Sequence, residues 1–351
     1  MHATPTDTRA VIAERTAELL AWAAQAMAPG LEAGHELAEQ LMVSSDGGKV
    51  FRGRLLLATF EAAGGGDRLP AEQLAGALEL FQTAALLHDD VLDGSDTRRG
   101  RPSAHRAFEQ LHREAKWPGD SAAYGRAGAI LAGDVALVAA MRGASVAARR
   151  AGDTVADLFD EMAALVTAGQ HLDMRVAAAP WADLGSLERD IRAVMRAKTA
   201  SYTAEFPLAL GAAAAGADPA TVVALRAAGL PLGVAFQLRD DVLGLTGSPE
   251  TTGKPVGDDL REGKRTLLVW HALAHGDRAE RDAVHAVLGN PSATAEATAT
   301  AIAAIGSSGA LAAAEREISA QAGLARAALT ETLDAPAPVL ALVDAAVDRT
   351  A

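Results

Sequence analysis

Residues 79–105 read ELFQTAALLHDDVLDGSDTRRGRPSAH. The stretch opens on an apolar run and ends abruptly in Asp89, Asp90 and Asp93. Upstream of the acids, apolar residues recur at spacings of three and four, as in Leu74, Leu78 and Phe81, which is the period of an α-helix. The same period recurs along the chain. Ala and Leu, both strong helix formers, dominate, and the Val/Ile/Thr alternation of strands is hard to find. The expected fold class is all-α.

The whole chain has 351 residues and is 50% apolar, enough to bury a large core, which excludes a mainly disordered protein. Its net charge of −13 disfavours a general nucleic-acid binder. With no cysteine, disulfide scaffolds, thiolate metal sites and cysteine nucleophiles are out. The first twenty residues carry Asp7, Arg9, Glu14, Arg15 and Glu18, so no signal-peptide core is expected there. No charge-free apolar run of about 18 residues occurs, so no transmembrane segment is expected and a cytoplasmic protein is. Gly and Pro clusters at 64–70, 117–119, 180–186, 216–219, 247–253, 289–291, 306–309 and 336–338 divide the chain into ten or more helices. None is long enough to link independent domains, so a single domain over 1–351 is expected. Asp218 before Pro219 reads as an N-cap with Pro at N1, and Pro231 predicts a kink in the helix that follows. The last fifty residues carry no legible motif.

The acidic helix end points to chemistry. Asp89 and Asp93, four positions apart, fall about 40° apart on one helix face, while Asp90 points about 100° away. Two carboxylates on one face suit Mg²⁺, which is usually held by one or two carboxylates together with substrate phosphates. Arg98 and Arg99 follow, and guanidinium groups match phosphate oxygens. Acids at a helix C-terminus oppose the macrodipole and are costly without a cation. A second segment, FQLRDDVLGLTGSPETTGKPVGDDLREGKRT at 236–266, repeats the arrangement with Asp240, Asp241, Lys254, Asp258, Asp259 and Lys264. Gly244 stands four after Asp240, so this helix offers one inward carboxylate and not a pair. Weaker signals are Lys49 and Arg52 in GGKVFRGR, Lys198-Thr199, and the group Gly169, Gln170 and Asp173.

In this order, the five segments resemble the trans-isoprenyl diphosphate synthases, the polyprenyl synthetase family. The resemblance covers about residues 47–266. It implies a single-domain helical bundle of the isoprenoid synthase type around a central cavity, with the two Asp-rich helices facing each other, and a homodimer. It implies an Mg²⁺-dependent prenyltransferase that condenses isopentenyl diphosphate with allylic diphosphates. By that likeness Asp89 and Asp93 hold two Mg²⁺ and Asp240 a third, with Asp90 and Asp241 behind them. Arg98, Lys198, Lys264 and Lys254 hold the allylic diphosphate. Lys49, Arg52, Gln82 and Arg99 hold isopentenyl diphosphate, with Gln82 where many members have His. Thr199 and Gln237 line the carbocation. Gly244 departs from the pattern, since many members carry a third Asp there, and this leaves the third metal with fewer carboxylates nearby.

Three other readings compete. A class I terpene cyclase of the same fold leaves Lys49, Arg52 and Arg99 without a duty, and its cavity usually carries more aromatic residues than this chain supplies. A metal phosphohydrolase built on His88-Asp89 needs further His ligands. A non-catalytic subunit is free to lose its acidic segments, which are intact here. For product length, Ala84 and Ala85 lie about one turn before Asp89, where members that stop at C15 often carry bulky aromatics. Two alanines leave the tail pocket open, so geranylgeranyl diphosphate is the expected product, with farnesyl or longer prenyl diphosphates as alternatives.

Overall fold

In the computed structural model, the structure describes residues 7–27, 32–179, 184–247 and 256–349. Contacts divide the chain into two compact units, Met1–Asp160 with Pro207–Val222, and Glu161–Phe206 with Val223–Ala351.

The first unit is built on α1 (Thr8–Met27), α2 (Glu32–Ser45), α3 (Phe51–Ala62), α4 (Leu69–Leu92), α5 (Ala104–Glu114) and α6 (Ser121–Ala151). Helix α4 sits centrally against α6, α1 and α3. Its period-3/4 apolar residues explain this. Leu74, Leu78, Leu80, Phe81 and Leu87 are buried, each worth roughly 1.5–3 kcal/mol of transfer free energy. The facing side of α6 is almost all Ala and Gly, so the two helix backbones pack closely. Asp120 caps α6 by accepting from the amides of Ala122 and Ala123 at 2.9 and 3.2 Å. The all-α reading misses one feature of this unit. Thr97–Arg98 (β1) and Arg101–Pro102 (β2) pair as a two-residue-loop hairpin, with Arg99 and Gly100 both at positive φ, as a type I′ turn requires. Residues this short and polar give no strand signal.

Helix α7 (Asp153–Ala178) runs from the first unit into the second, which continues through α8 (Leu184–Val194) into a π-helix, Met195–Glu205, and α9 (Phe206–Ala214) then returns the chain to the first unit. After α10 (Pro219–Thr246) come α11 (Asp258–Arg261), α12 (Leu267–His275), α13 (Arg278–Val287), α14 (Ala295–Ser307), α15 (Ala310–Thr332) and α16 (Ala337–Val347). The helix count among the described residues exceeds ten, as the breakers imply. Asp218 caps α10 as expected, accepting from Ala220 and Thr221, and α10 continues as one helix through Pro231. The last fifty residues, without a motif in sequence, form packed helices. The carboxylate of Glu315 takes both Nη groups of Arg239, at 2.6 and 2.8 Å, and the Val347 carbonyl accepts from Arg239 Nε at 2.8 Å. By length and composition α6 and α10 are each apolar enough to cross a membrane, which the expectation of no transmembrane segment did not foresee.

Candidate active site

At the end of α4, Asp93 takes the C-cap position and its amide donates to the Asp89 carbonyl at 2.8 Å. Helical geometry therefore persists to Asp93 and keeps the two carboxylates on one face. Asp90 behaves differently. It is buried and receives Arg98 Nε at 2.9 Å, with Arg98 Nη2 on the same oxygen. Burial works to lower the pKa of Arg98, but its hydrogen bond to Asp90 and the charges of Asp90, Asp89 and Asp93 hold it above its ordinary value. The hairpin thus presents a permanently charged guanidinium beside the acidic helix end.

Arg99, at the hairpin tip, turns the other way. Its Nη1 donates to the Asp46 carbonyl at 2.7 Å, and burial followed by the charge of Arg98 lowers its pKa. A cavity of about 360 Å³ opens here, lined by Arg9, Thr16, Gly47, Glu79, Gln82 and Arg99 among others. That volume suits a small ligand. Two of the residues expected to hold isopentenyl diphosphate, Gln82 and Arg99, line it. Arg52, on the first turn of α3, is 5% exposed, and Lys49 lies exposed in the preceding loop. Arg9 had no sequence signal. It joins this loop by donating to the Gly48 carbonyl at 2.6 Å.

In the second unit two weak sequence signals merge. Lys198 Nζ donates to Asp173 Oδ2 at 2.6 Å. Lys198 and Thr199 lie in the π-helix, a form found often at functional sites. Two glycines let neighbours press against it. A Cβ at Gly169 would fall 2.4 Å from the Lys198 amide nitrogen, and one at Gly233 2.4 Å from Ala200 Cα. Lys264 pairs with Asp259 at 3.3 Å and Glu262 at 3.0 Å. Lys254 lies outside the described residues. Asp240 receives Arg349 Nη1 at 2.8 Å, and Arg349 stacks 4.2 Å from the Phe236 ring. Gln237, expected to line the cation, donates its amide to Asp241 at 2.7 Å.

The polyprenyl synthetase family pattern matches residues 34–305. The chain belongs to this family. A short-chain isoprenyl diphosphate synthase of Methanothermobacter thermautotrophicus is 35% identical over 251 residues, 70% of this chain and 69% of that protein. The octaprenyl diphosphate synthase of Escherichia coli is 32% identical over 267 residues, 76% and 75% of the two chains. The crystal structure of a geranylgeranyl pyrophosphate synthase from Corynebacterium glutamicum, complexed with isoprenyl diphosphate and magnesium, superposes with a TM-score of 0.92 at 33% identity, covering 99% of this chain and 100% of that one. The fold is therefore the all-α isoprenoid synthase fold, and the chain is a prenyltransferase of the trans-prenyl diphosphate synthase kind.

In this family member Asp89 and Asp93, on one face of α4, offer hard carboxylate oxygens of the kind magnesium prefers, and Asp240 on α10 offers another. His88 is engaged elsewhere, its Nε2 3.2 Å from the Ile130 carbonyl and 3.3 Å from Asp134, so the phosphohydrolase reading lacks its first imidazole ligand. The Gly244 departure also looks different in three dimensions. A Cβ at Gly244 would stand 3.1 Å from Asp259 Oδ2, so a carboxylate from α11 lies where the usual third Asp would start.

Asp241 stands apart. Burial, with the charges of Asp259 and Asp240, pushes its carboxyl up to about 8, against the Gln237 hydrogen bond and Lys264. A raised carboxyl pKa means the native state binds the proton more tightly than the unfolded chain. The metal-free protein therefore loses stability as pH rises from the ordinary aspartate range toward about 8. Asp241→Asn imitates the protonated side chain and still accepts from Gln237. Its melting temperature should exceed the parent's by about 2 °C or more near pH 8, and match it near pH 4. Parallel melting curves for the two proteins across that range would expose the Asp241 reading as wrong.

Proposed function

We propose that this prenyltransferase condenses isopentenyl diphosphate with allylic diphosphates and that its main product is all-trans geranylgeranyl diphosphate. The observation that carries the reading is a repeated pairing of cation and carboxylate, Arg98 with Asp90, Lys198 with Asp173 and Lys264 with Asp259. Each pair holds a phosphate-binding cation in place before a ligand arrives, and such preorganisation lowers the cost of charge developing on a leaving diphosphate. Arg98, Lys198, Lys264 and Lys254 bind the allylic diphosphate. Asp89 and Asp93 would hold two Mg²⁺ and Asp240 a third, and Mg²⁺ held there would supply Lewis-acid neutralisation of the leaving group. The magnesium and isoprenyl diphosphate in the Corynebacterium relative support this assignment. Thr199 and Gln237 line the allylic cation, and apolar side chains between Leu78 and Leu87 keep water from it. Lys49, Arg52, Gln82 and Arg99 hold isopentenyl diphosphate while its double bond attacks the cation. A proton then leaves to the departing diphosphate.

A single catalytic domain, a cytoplasmic location and a homodimer complete the proposal. Ile130, Leu131 and Val138, all exposed within one broad stripe of α6, supply apolar surface for a second copy. The deciding assay incubates the protein with Mg²⁺, isopentenyl diphosphate and, separately, C5, C10 and C15 allylic primers, and reads chain length by chromatography. A C20 product from every accepted primer is expected. Products formed without isopentenyl diphosphate would point to a cyclase, and C15 or much longer chains would overturn the C20 assignment.

The two alanines of α4 differ in their surroundings. Ala84 is 2% exposed, while Ala85 is only half-buried and lies about 40° from the face of Asp89. Ala85→Phe should therefore shorten the main product by one isoprene unit or more and keep allylic turnover. Ala84→Phe should instead overpack closed core, at about 1–3 kcal/mol of stability. A stable Ala85→Phe protein with unchanged products would show that the tail does not pass this residue.

A further inference from the structure

Two acidic residues line the cavity expected to take a diphosphate, Asp46, which pairs with Arg101 at 3.2 Å, and Glu79. Glu79 has no part in the metal or phosphate assignments, and a carboxylate facing an anion site needs a reason. Its surroundings supply one. Helix α3 begins at Phe51 with Val50 as N-cap in the left-handed region, no side chain of the cap accepts from the helix, and the first turn contains no acid. Three conditions for a stable helix start are thus missing. The first turn instead carries Arg52, a cation set against the positive end of the helix dipole and almost wholly buried.

Glu79 reaches this turn from α4. Its Oε1 accepts the Gly53 amide at 2.9 Å, and the Arg52 amide also donates to the carboxylate. The approach depends on Gly53, since a Cβ there would meet Ala75 O at 3.2 Å and Ala75 Cβ at 3.3 Å, one turn before Glu79 on the same helix. The acid therefore performs across two helices the task a local Ser or Asp performs at an ordinary N-cap. Loss of solvation raises the pKa of Glu79, while the charges of Arg52 and Arg99 and the two amides lower it.

We propose that Glu79 is a positioning residue for isopentenyl diphosphate, capping the first turn of α3 so that Arg52 is held where the second substrate binds. The proposal rests on the assignment of Arg52 to that substrate. Glu79 itself does not touch the diphosphate, because its carboxylate is committed to the α3 amides.

The test uses Glu79→Ala, Glu79→Gln and Arg52→Ala in the full chain. Glu79→Ala should raise KM for isopentenyl diphosphate roughly tenfold, the scale of a lost helix cap, and leave KM for the allylic substrate unchanged. Glu79→Gln, whose amide oxygen accepts the same N–H groups, should restore native KM. Hydrogen exchange over residues 50–57 should quicken in Glu79→Ala and not in Glu79→Gln. If Glu79→Ala fails to fold, Glu79→Asp, one methylene shorter, takes its place with the same expectations. Native KM and native exchange in the Ala variant, equal rises for both substrates, or no rescue by Gln would each overturn the proposal. A native KM in Arg52→Ala would instead remove the substrate assignment, and the exchange measurement would still decide whether Glu79 caps α3.

Discussion

Replacing Asp89 or Asp93 with Ala should lower turnover by more than roughly 100-fold, the scale for removing one preorganised electrostatic group from a charged transition state. The expectation follows from their position. Both sit at the C-terminal end of α4, where the helix dipole is negative and each further carboxylate is unfavourable until a cation arrives. Deleting one should leave the melting temperature of the metal-free protein unchanged or slightly higher. It should also reduce the rise in melting temperature that Mg²⁺ with inorganic diphosphate produces in the parent. Catalysis and metal-free stability then move in opposite directions, which a misfolded variant cannot imitate. Asp90→Ala is the contrasting case. Asp90 is buried and bound to Arg98, so its loss leaves a half-buried guanidinium without its carboxylate and should cost both stability and activity. Near-normal rates in both Asp89→Ala and Asp93→Ala, with circular dichroism unchanged, would end the metal-assisted reading.

The residues that sequence made legible share one property: their meaning is local. The period of α4 and the spacing of Asp89 and Asp93 are set within one helix, and both reappear in the structure. What stayed hidden depends on partners far along the chain. Arg349 reaches Asp240 from a tail without a motif, and neither residue type nor spacing could announce it. Arg239 reads as a neighbour of the acid pair, yet its work is to tie α10 to Glu315 and Val347, 76 and 108 positions away. The hairpin was invisible because two-residue strands have no periodicity, and the π-helix lies against Gly169 and Gly233, which belong to other helices far along the chain. At Gly244 the sequence showed a missing carboxylate, and only folding places Asp259 beside the gap. Glu79 was in plain view on α4, but its task belongs to α3.

Arg52→Ala should raise KM for isopentenyl diphosphate about ten- to a hundredfold, because a charge-assisted hydrogen bond to a phosphate contributes roughly 1.5–3 kcal/mol. The allylic KM should stay within about twofold, since Arg98, Lys198 and Lys264 keep their own carboxylate partners, and none of the three pairs includes Arg52. This asymmetry is what separates a two-substrate synthase from a cyclase, which ionises one diphosphate and has no use for a second anion site. Arg52 is nearly buried, so truncation also leaves the Glu79 carboxylate with one neutralising charge fewer, and some loss of melting temperature is expected. Arg52→Lys controls for that loss. It keeps the charge beside Glu79 but gives up the planar two-pronged contact with phosphate, so KM for isopentenyl diphosphate should fall between those of the parent and the Ala variant. Its stability should stay close to the parent's. If Lys matches Ala in KM while matching the parent in stability, the guanidinium geometry carries the binding. If both variants raise the two KM values equally, Arg52 supports the fold and not the second substrate, and the cavity beside Gln82 and Arg99 loses its assignment.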